Sequence, residues 1–282
     1  MPRCDIQAAL LDIQGTLLDS KNVAVPGAPE AVAAIKASGV RVRYVTNIDS
    51  VGPRTILQRL CAAGIPSEEH EVFSPVVALR RYLVRRGSPR CMFLLPAELE
   101  DLLGDFSVSP GARADIVVVG DMRRDFTYEA LNAALRQLLA GAELVALNKG
   151  RYYLAPDGPV LDTGAFAAAL EHAADRTAYV IGKPSTELLR LALQDMSVEG
   201  AAAVMVGDDA AADVGGGHAV GARTVLVRTG KFSDEALARA DVRPDIVLDS
   251  IAQLPDTMCE WARRAGEQTL STGRPVRRDA RE

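Results

Sequence analysis

Residues 8–19 read Ala-Ala-Leu-Leu-Asp-Ile-Gln-Gly-Thr-Leu-Leu-Asp, and the rest of the chain is organised around this stretch. The apolar run predicts a buried strand that ends at Asp12, where Gly15 and Thr16 then break the strand pattern. Open α/β sheets bind ligands at the carboxyl ends of their strands, so Asp12 is a candidate nucleophile or metal ligand. Taken alone, the segment also fits a strand-end Asp that caps a turn.

The composition is that of a globular protein with room for a large core. The 282 residues are 48% hydrophobic and 24% charged, which suits one large domain or two smaller ones. The formal net charge of −5 favours neither nucleic acid nor an anionic membrane surface as a partner. The sequence has no signal-peptide layout and no apolar run of transmembrane length, so we expect a cytoplasmic protein without a membrane partner.

The order of the predicted elements indicates a parallel sheet. The chain opens as strand, helix, strand, helix, and the same alternation returns from residue 178. Such β-α-β units imply parallel strands with right-handed crossovers. We therefore predict an α/β fold with a doubly wound, mostly parallel, Rossmann-like core built from residues 1–75 and 177–262. A separate α/β unit is inserted at 76–176, and the polar, Arg-rich residues 263–282 are expected to be a disordered tail.

Polar side chains follow four of the predicted strands and should meet at one edge of the core sheet. Each comes directly after an apolar β run, and parallel strands end at a common carboxyl edge. These strand-end positions are Asp12, Thr46 with Asn47, Lys183, and Asp208 with Asp213.

Together these groups have the chemistry of a phosphoryl-transfer site. Asp12 and Asp208 supply hard oxygen ligands of the kind that Mg²⁺ prefers. Backbone N–H groups of the turn at Ile13 and Gln14 can cradle phosphate oxygens. A hydroxyl donor from Thr46 and the positive charge of Lys183 would complete the site, with Asp12 attacking phosphorus to give an aspartyl-phosphate.

Each part also has a simpler explanation when it is taken separately. Lys183 alone is an ordinary solvated lysine, and Thr46 alone is a strand-end hydroxyl. Asp208 and Asp213 alone fit a helix N-cap followed by an acidic residue in the first turn. Their joint order and their strand-end placement favour one shared site over these separate explanations.

These motifs resemble those of the haloacid dehalogenase superfamily of phosphohydrolases. The first motif corresponds to residues 12–16, the second to Thr46-Asn47, the third to Lys183-Pro184, and the fourth to Gly207-Asp208 with Asp213. The insert lies between the second and third motifs, which resembles the subclass with a large α/β cap, class IIA. The likeness runs from about residue 8 to residue 254.

The resemblance implies roles for individual residues. In that family the first Asp is nucleophile and metal ligand, and the backbone carbonyl two residues later also binds Mg²⁺, which points to Asp12 and Gln14 beside Asp208 and Asp213. Phosphate binding is implied for the second- and third-motif residues. The cap shapes the substrate pocket, and the matching positions here are Lys149, Arg151 and Tyr152. The resemblance also implies a small phosphorylated substrate and a homodimer formed through the cap.

One position departs from the family pattern. Most phosphatases of the superfamily have a second Asp two residues after the nucleophile as general acid and base, and here that position is Gln14. An amide can donate a hydrogen bond to a leaving oxygen but cannot protonate it. General acid–base catalysis is typically worth ~10²–10⁴ in rate, so alkyl phosphate esters should suffer most. Asp49 and Asp209 are candidates to substitute in part.

Several functions remain open at this point. The leading hypothesis is a Mg²⁺-dependent phosphohydrolase that acts on a small metabolite. A phosphate-binding or regulatory protein with little turnover is the alternative that Gln14 favours. A phosphotransferase with an acceptor other than water also fits, whereas a metal-free dehalogenase has no use for the downstream carboxylates.

Overall fold

The structure, a computed structural model, describes residues 6–109, 111–155 and 158–271. Its strands are β1 (Ala8–Asp12), β2 (Arg41–Val45), β3 (Val72–Phe73), β4 (Cys91–Leu94), β5 (Ile116–Val119), β6 (Glu143–Ala146), β7 (Tyr152–Ala155), β8 (Gly158–Leu161), β9 (Tyr179–Val180), β10 (Ala203–Gly207), β11 (Arg223–Val227) and β12 (Ile246–Leu248). Its helices are α1 (Ala28–Ala37), α2 (Pro53–Ala62), α3 (Pro75–Arg85), α4 (Ala97–Leu103), α5 (Tyr128–Leu139), α6 (Thr163–Ala174), α7 (Glu187–Met196), α8 (Gly215–Ala219), α9 (Asp234–Arg239) and α10 (Leu254–Ser271), with a π-helical segment over Ala210–Val214.

The core sheet has six parallel strands in the order β12-β11-β10-β1-β2-β3. All five residues of β1 are buried, and alternate residues pack on opposite faces: Leu10 belongs to one hydrophobic cluster and Leu11 to another. A parallel strand covered on both faces explains why β1 is a continuous apolar run. The predicted α/β class and parallel core sheet are confirmed.

The strand order places a crevice at the end of β1. From β1 the chain continues to β2 on one side and returns through β10 on the other, so the connections diverge between β1 and β10. Ligands of doubly wound sheets bind at such a switch point, outside the carboxyl ends of the strands. Asp12 ends β1 and Asp208 follows β10, so both carboxylates lie at this crevice.

A second parallel sheet has the order β4-β5-β6-β9, and β7 and β8 form an antiparallel hairpin. The sequence placed the strand at 179–181 in the core, but Val180 pairs with Ala146 of β6 in the second sheet. Two strand residues carry too little periodicity to assign a sheet. Lys183 therefore approaches the site from the carboxyl edge of the second sheet.

One hydrophobic cluster joins the two sheets. It contains Leu10 of the core sheet, Val118 of the second sheet, Leu79 of α3 and Leu189 of α7. Buried apolar contacts of this kind are the main stabilising contribution in folding, so the sheets share a core through these two helices.

The prediction of a disordered tail over residues 263–282 is wrong for residues 263–271, which belong to a helix. Helix α10 continues through residue 271, and Leu254 and Met258 on one face of the helix pack in the core cluster. Polar composition, on which the tail prediction rests, does not exclude a helix anchored by its first turns. Residues 272–282 lie outside the described residues.

Within the described ranges, no helix combines the length and the hydropathy that crossing a membrane requires.

Candidate active site

Asp12 and Lys183 form the centre of the site. The Lys183 ammonium donates to Asp12 Oδ1 at 2.5 Å and to Asp213 Oδ1 at 2.8 Å. Asp12, Lys183 and Asp213 are 6%, 5% and 1% exposed, so this ion-pair network is buried. Burial makes the interaction between these charges much stronger than it would be at the surface.

Asp208 is placed beside the first loop by two glycines and a backbone donor. Asp208 Oδ2 accepts a hydrogen bond of 2.6 Å from the backbone N–H of Lys231. A Cβ on Gly15 would lie 2.0 Å from that oxygen, and one on Gly230 would lie 1.9 Å from it. Both glycines have positive φ, so a side chain there would also strain the backbone. The motif glycine at position 15 is thus required by the close approach of Asp208.

Asp213 reaches the cluster from the π-helical segment after β10. Its Oδ1 accepts from Lys183, and its Oδ2 accepts from the backbone N–H of Asp209 at 3.1 Å. A Cβ on Gly207 would lie 2.0 Å from Asp213 Oδ2, so Gly207 makes room for this carboxylate. The N-cap of the segment is Asp209, whose Oδ1 accepts from the N–H groups of Ala211 and Ala212. The capping alternative therefore applies to Asp209 and not to Asp208.

The pKa values of these groups reflect burial first and charge second. Burial raises the pKa of Asp12, the charge of Lys183 opposes this, and Asp213 and Asp208 reinforce it. Burial lowers the pKa of Lys183, but Asp12 and Asp213 outweigh that effect, so its pKa lies above its usual value and the ammonium is retained. Burial raises the pKa of Asp208 to about 6, partly offset by the N–H of Lys231.

The cluster has the donor set and the charge that a hard divalent cation requires. One carboxylate oxygen from each of Asp12, Asp208 and Asp213 lies within 4.8 Å of the others. Three buried carboxylates face one ammonium, so the cluster is short of positive charge whenever the carboxylates are ionised. Carboxylate oxygens are the ligands that Mg²⁺ takes in phosphoryl-transfer sites. The residues present therefore fit a divalent metal ion.

Thr46 and Asn47 follow β2, and Asn47 contacts Lys183. Thr46 is 1% exposed, and its Oγ1 accepts from the N–H of Ile48 at 3.2 Å. The Asn47 side chain donates to the Lys183 carbonyl at 2.7 Å and accepts from the Lys183 N–H at 2.8 Å. The amide oxygen and one N–H of Asn47 thus contact the Lys183 peptide, and phosphate binding by Asn47 stays a prediction. Asn47 therefore positions the lysine.

The turn after Asp12 is closed by the backbone of Ile13. The carbonyl of Ile13 accepts from the N–H groups of Leu17 and Leu18, and its side chain is buried in the core. The Gln14 side chain donates to the carbonyl of Asp19 at 2.6 Å. Its amide nitrogen is thus directed to the chain segment that leaves the turn. Phosphate binding by Ile13 and metal binding by the Gln14 carbonyl stay predictions.

The residues expected to read the substrate are not joined to the Asp12 cluster by any hydrogen bond or ion pair among the described residues. Lys149 is paired with Glu171 of α6 at 2.7 Å. Arg151 is exposed, and Tyr152 is 56% exposed. Lys149 is therefore engaged within the inserted segment, and a role in substrate binding stays a prediction for all three.

The two candidates to replace the missing general acid are occupied elsewhere. Asp209 caps the π-helical segment, and its other oxygen lies 3.7 Å from Lys231 Nζ. Asp49 is 3% exposed and accepts hydrogen bonds from Asn148 and Thr163. The described contacts give neither carboxylate a link to Asp12.

Sequence reasoning missed the loop after β11. Thr229 donates its hydroxyl to the carbonyl of Gly15, and Lys231 donates its N–H to Asp208. The loop thereby joins the first motif to the fourth. The strand-end rule that identified the other groups also applies to the strand at 224–227, so the signal was present.

Comparison with known proteins gives concordant family matches. A model described as haloacid dehalogenase-like hydrolase matches residues 9–108, and a HAD-hydrolase-like model matches residues 180–254. Haloacid dehalogenase-like hydrolase domain-containing protein 2 of Homo sapiens is 39% identical over 232 residues, which cover 82% of this chain and 88% of that protein. Phospholysine phosphohistidine inorganic pyrophosphate phosphatase of Rattus norvegicus is 36% identical over 260 residues, with 90% and 95% covered.

Solved structures share the fold over nearly the whole described chain. The p-nitrophenyl phosphatase from Archaeoglobus fulgidus superposes with a TM-score of 0.82 at 29% identity, covering 90% of this chain and 99% of that one. NagD from E. coli K-12 superposes with a TM-score of 0.81 at 26% identity, covering 88% and 98%. With the motif geometry described above, these matches show that the chain belongs to the haloacid dehalogenase superfamily of hydrolases, in the group that contains the NagD and p-nitrophenyl phosphatase structures.

Proposed function

We propose that the chain is a Mg²⁺-dependent phosphatase that acts on a small phosphorylated metabolite through an aspartyl-phosphate at Asp12. The observation that carries the proposal is the buried contact of Lys183 with both Asp12 and Asp213, with Asp208 close enough to share a cation. Phosphoryl transfer depends on positioning and on charge stabilisation, and this arrangement supplies both.

The proposed first step is attack by Asp12 on phosphorus. Lys183 holds Asp12 Oδ1, which leaves Oδ2 to attack. The new bond from Oδ2 to phosphorus takes an electron pair of the carboxylate, and the bond to the leaving oxygen breaks with its electrons going to the leaving group. Lys183 also offsets charge on the transferred group. Bound Mg²⁺ at Asp12, Asp208 and Asp213 would neutralise phosphate charge.

In the proposed second step water attacks phosphorus, and the bond from phosphorus to Asp12 Oδ2 breaks with its electron pair returning to the carboxylate. The proton that the water loses goes to the released phosphate or to solvent. Neither the first nor the second step has an acid or base at Gln14, because a side-chain amide does not gain or lose a proton near neutral pH. Poor leaving groups such as alkoxides need protonation as they depart, whereas acyl, aryl and pyrophosphate leaving groups need it less. We therefore propose a preference for activated phosphates and P–N bonds.

A leaving-group series tests this proposal. Wild type should hydrolyse p-nitrophenyl and acetyl phosphate faster than glycerol phosphate by at least about 10²-fold in kcat/KM, the size of a missing general acid. Gln14→Asp should raise the alkyl rate more than the activated rates, because it restores a group that can protonate the alkoxide. Gln14→Asn is the matched control and should leave the ratio unchanged. Equal wild-type rates on alkyl and activated phosphates would refute the preference.

The second candidate is a phosphate-binding or regulatory protein with little turnover. The amide of Gln14 and its engagement by the Asp19 carbonyl favour this function. Release of phosphate from p-nitrophenyl phosphate, measured with and without Mg²⁺, separates the two. Turnover only with Mg²⁺ supports the enzyme, whereas binding of inorganic phosphate without turnover supports the alternative.

We also propose that the second sheet and its helices form a cap over the site, and that two chains pair through this cap. We propose further that the protein acts in the cytoplasm without nucleic-acid or membrane partners. Large apolar side chains on its surface support the pairing: Tyr128, Leu139 and Leu161 are 78%, 66% and 59% exposed. The mass in solution, measured by light scattering, tests the dimer. Leu139→Glu should make the chain monomeric, and a wild-type mass of one chain would refute the pairing.

A further inference from the structure

The loop that follows β2 contacts the carboxyl edge of the second sheet strand by strand. Asn47 holds Lys183, which follows β9, and Asp49 holds Asn148, which follows β6. Ser50 Oγ accepts from Arg123, which follows β5, at 3.0 Å. These contacts run along the loop in the same order as β9, β6 and β5 run across the sheet.

Asp49 is the central member of this series and makes two contacts through one oxygen. Its Oδ2 accepts from Asn148 Nδ2 at 2.9 Å and from Thr163 Oγ1 at 2.8 Å. Asp49, Asn148 and Thr163 are each 3% exposed or less. A buried acceptor with two donors fixes both of their positions, because either donor left unpaired would carry a desolvation cost.

Because Asn148 also contacts Gly150, the fixed position of its side chain limits the movement of the segment that follows it. Its Oδ1 accepts from the N–H of Gly150 at 2.7 Å, and the carbonyl of Gly150 accepts from the N–H of Gly164 at 3.0 Å. A Cβ on Gly164 would lie 2.5 Å from the Gly150 carbonyl oxygen, so this segment is packed directly on the start of α6. We name residues 148–153 the recognition segment, since it contains Lys149, Arg151 and Tyr152.

We propose that Asp49 is a positioning residue that fixes the recognition segment relative to the catalytic edge of the core sheet. The substrate's leaving group would then contact the recognition segment at a position fixed by a residue of the core domain's loop. Arg123 strengthens the same connection, because its guanidinium also donates to the Tyr153 hydroxyl at 2.8 Å. The inference rests on the proposed phosphatase site only for its kinetic readout.

The carboxylates near Asp49 favour its neutral form, which can remain buried beside Asn148 and Thr163 without a cation. Asp162 and Asp121 face it from the second sheet's side, and Arg123 is paired with Asp121 at 2.9 Å. Burial first, and then these two carboxylates, raise the pKa of Asp49 to about 8, with the Thr163 hydrogen bond opposing. Asp49→Asn is therefore the conservative variant, and Asp49→Leu removes the acceptor at similar volume.

Kinetics and hydrogen exchange together test the proposal. Asp49→Leu should raise KM for p-nitrophenyl phosphate about tenfold, the effect of losing one to two hydrogen bonds. The inhibition constant of inorganic phosphate, which needs no leaving-group contact, should change by less than about twofold. Asp49→Asn should restore the wild-type KM. A parallel rise in both constants, or a failure of Asn to restore KM, would overturn the positioning role.

Amide hydrogen exchange of the free protein supplies a readout that needs no turnover. Exchange across residues 148–153 should accelerate about tenfold in Asp49→Leu and remain near wild type in Asp49→Asn. Thr163→Val, which removes one donor and keeps the shape, should act in the same direction if the Leu variant does not fold. Unchanged exchange in these variants would overturn the proposal, whereas an absence of phosphatase activity in wild type would refute only the proposed function.

Discussion

Two buried aspartates that follow neighbouring strands of one sheet have opposite surroundings. Asp12 ends β1 and contacts the ammonium of Lys183, whereas Asp49 lies after β2 and contacts a hydroxyl and an amide. Burial raises the pKa of both, but a cation opposes the rise only at Asp12. The two carboxylates therefore differ in the charge of their partners, and the proposed nucleophile is the one that lies beside a cation.

The largest expected effect is the loss of kcat on removal of the proposed nucleophile, Asp12. Asp12→Asn should lower kcat for p-nitrophenyl phosphate by at least about 10³-fold, because the amide cannot form the aspartyl-phosphate. Asp209→Asn is a matched control, since Asn retains the N-cap, and it should change kcat by less than about threefold. Steady-state kinetics with saturating Mg²⁺ measure both. Comparable losses in the two variants would break the distinction between a reacting and a capping carboxylate.

Removal of the Lys183 ammonium should have the next largest effect. Lys183→Met leaves Asp12 and Asp213 without their counter-charge, and breaking a buried ion pair from one side costs about 3–5 kcal/mol in the free energy of unfolding. Lys149→Met is the control, because its pair with Glu171 is partly exposed and should cost less than about 1 kcal/mol. Urea unfolding without Mg²⁺ measures both changes. Equal losses of unfolding free energy in the two variants would show that the buried Lys183 ion pairs stabilise the protein no more than the partly exposed Lys149 pair does.

A third prediction concerns Asp49, and the size of its effect depends on pH. Asp49 has a pKa of about 8 in the folded chain against a usual 3.8, so the folded state holds an extra proton between these values. Its stabilisation is therefore fully present below about 3.8 and is lost progressively as pH rises from there to about 8. Asp49→Asn does not titrate, so wild type should lose stability relative to this variant by up to about 1.4 kcal/mol per pH unit.

Urea unfolding of both proteins across this pH range provides the measurement. Because Asp208 and the other titrating groups are common to both proteins, the difference between the two curves isolates Asp49. Parallel curves would show that Asp49 is ionised in the folded state and would remove the contrast with Asp12.

The central part of the site was predictable from sequence because each group follows an apolar strand. Asp12, Lys183, Asp208 and Asp213 were expected to meet, and the structure brings them into one cluster. The rule uses only strand ends and parallel topology, so it tolerates errors elsewhere. Lys183 contacts Asp12 and Asp213 as expected, but it follows a strand of the second sheet and not of the core sheet.

The remaining features depend on contacts that a linear pattern does not contain. Asn47 was expected to bind phosphate, yet its hydrogen bonds go to a peptide 136 positions away in sequence. Asp49 was considered only as a substitute acid, because nothing near it in sequence indicates Asn148 or Thr163. Short elements such as α4 and α9, and the continuation of α10, lack the length or the apolar periodicity that identifies helices.

Identification of the residue that carries the transferred phosphoryl group tests the proposed chemistry most directly. Wild type mixed with p-nitrophenyl phosphate and Mg²⁺, then quenched in acid within one turnover, should carry one phosphoryl group on the peptide that contains Asp12. The group should accumulate, because Gln14 provides no base for its hydrolysis, and Gln14→Asp should reduce the steady-state level. Rapid release of p-nitrophenol with no phosphoryl group on Asp12 at any time would contradict the aspartyl-phosphate route.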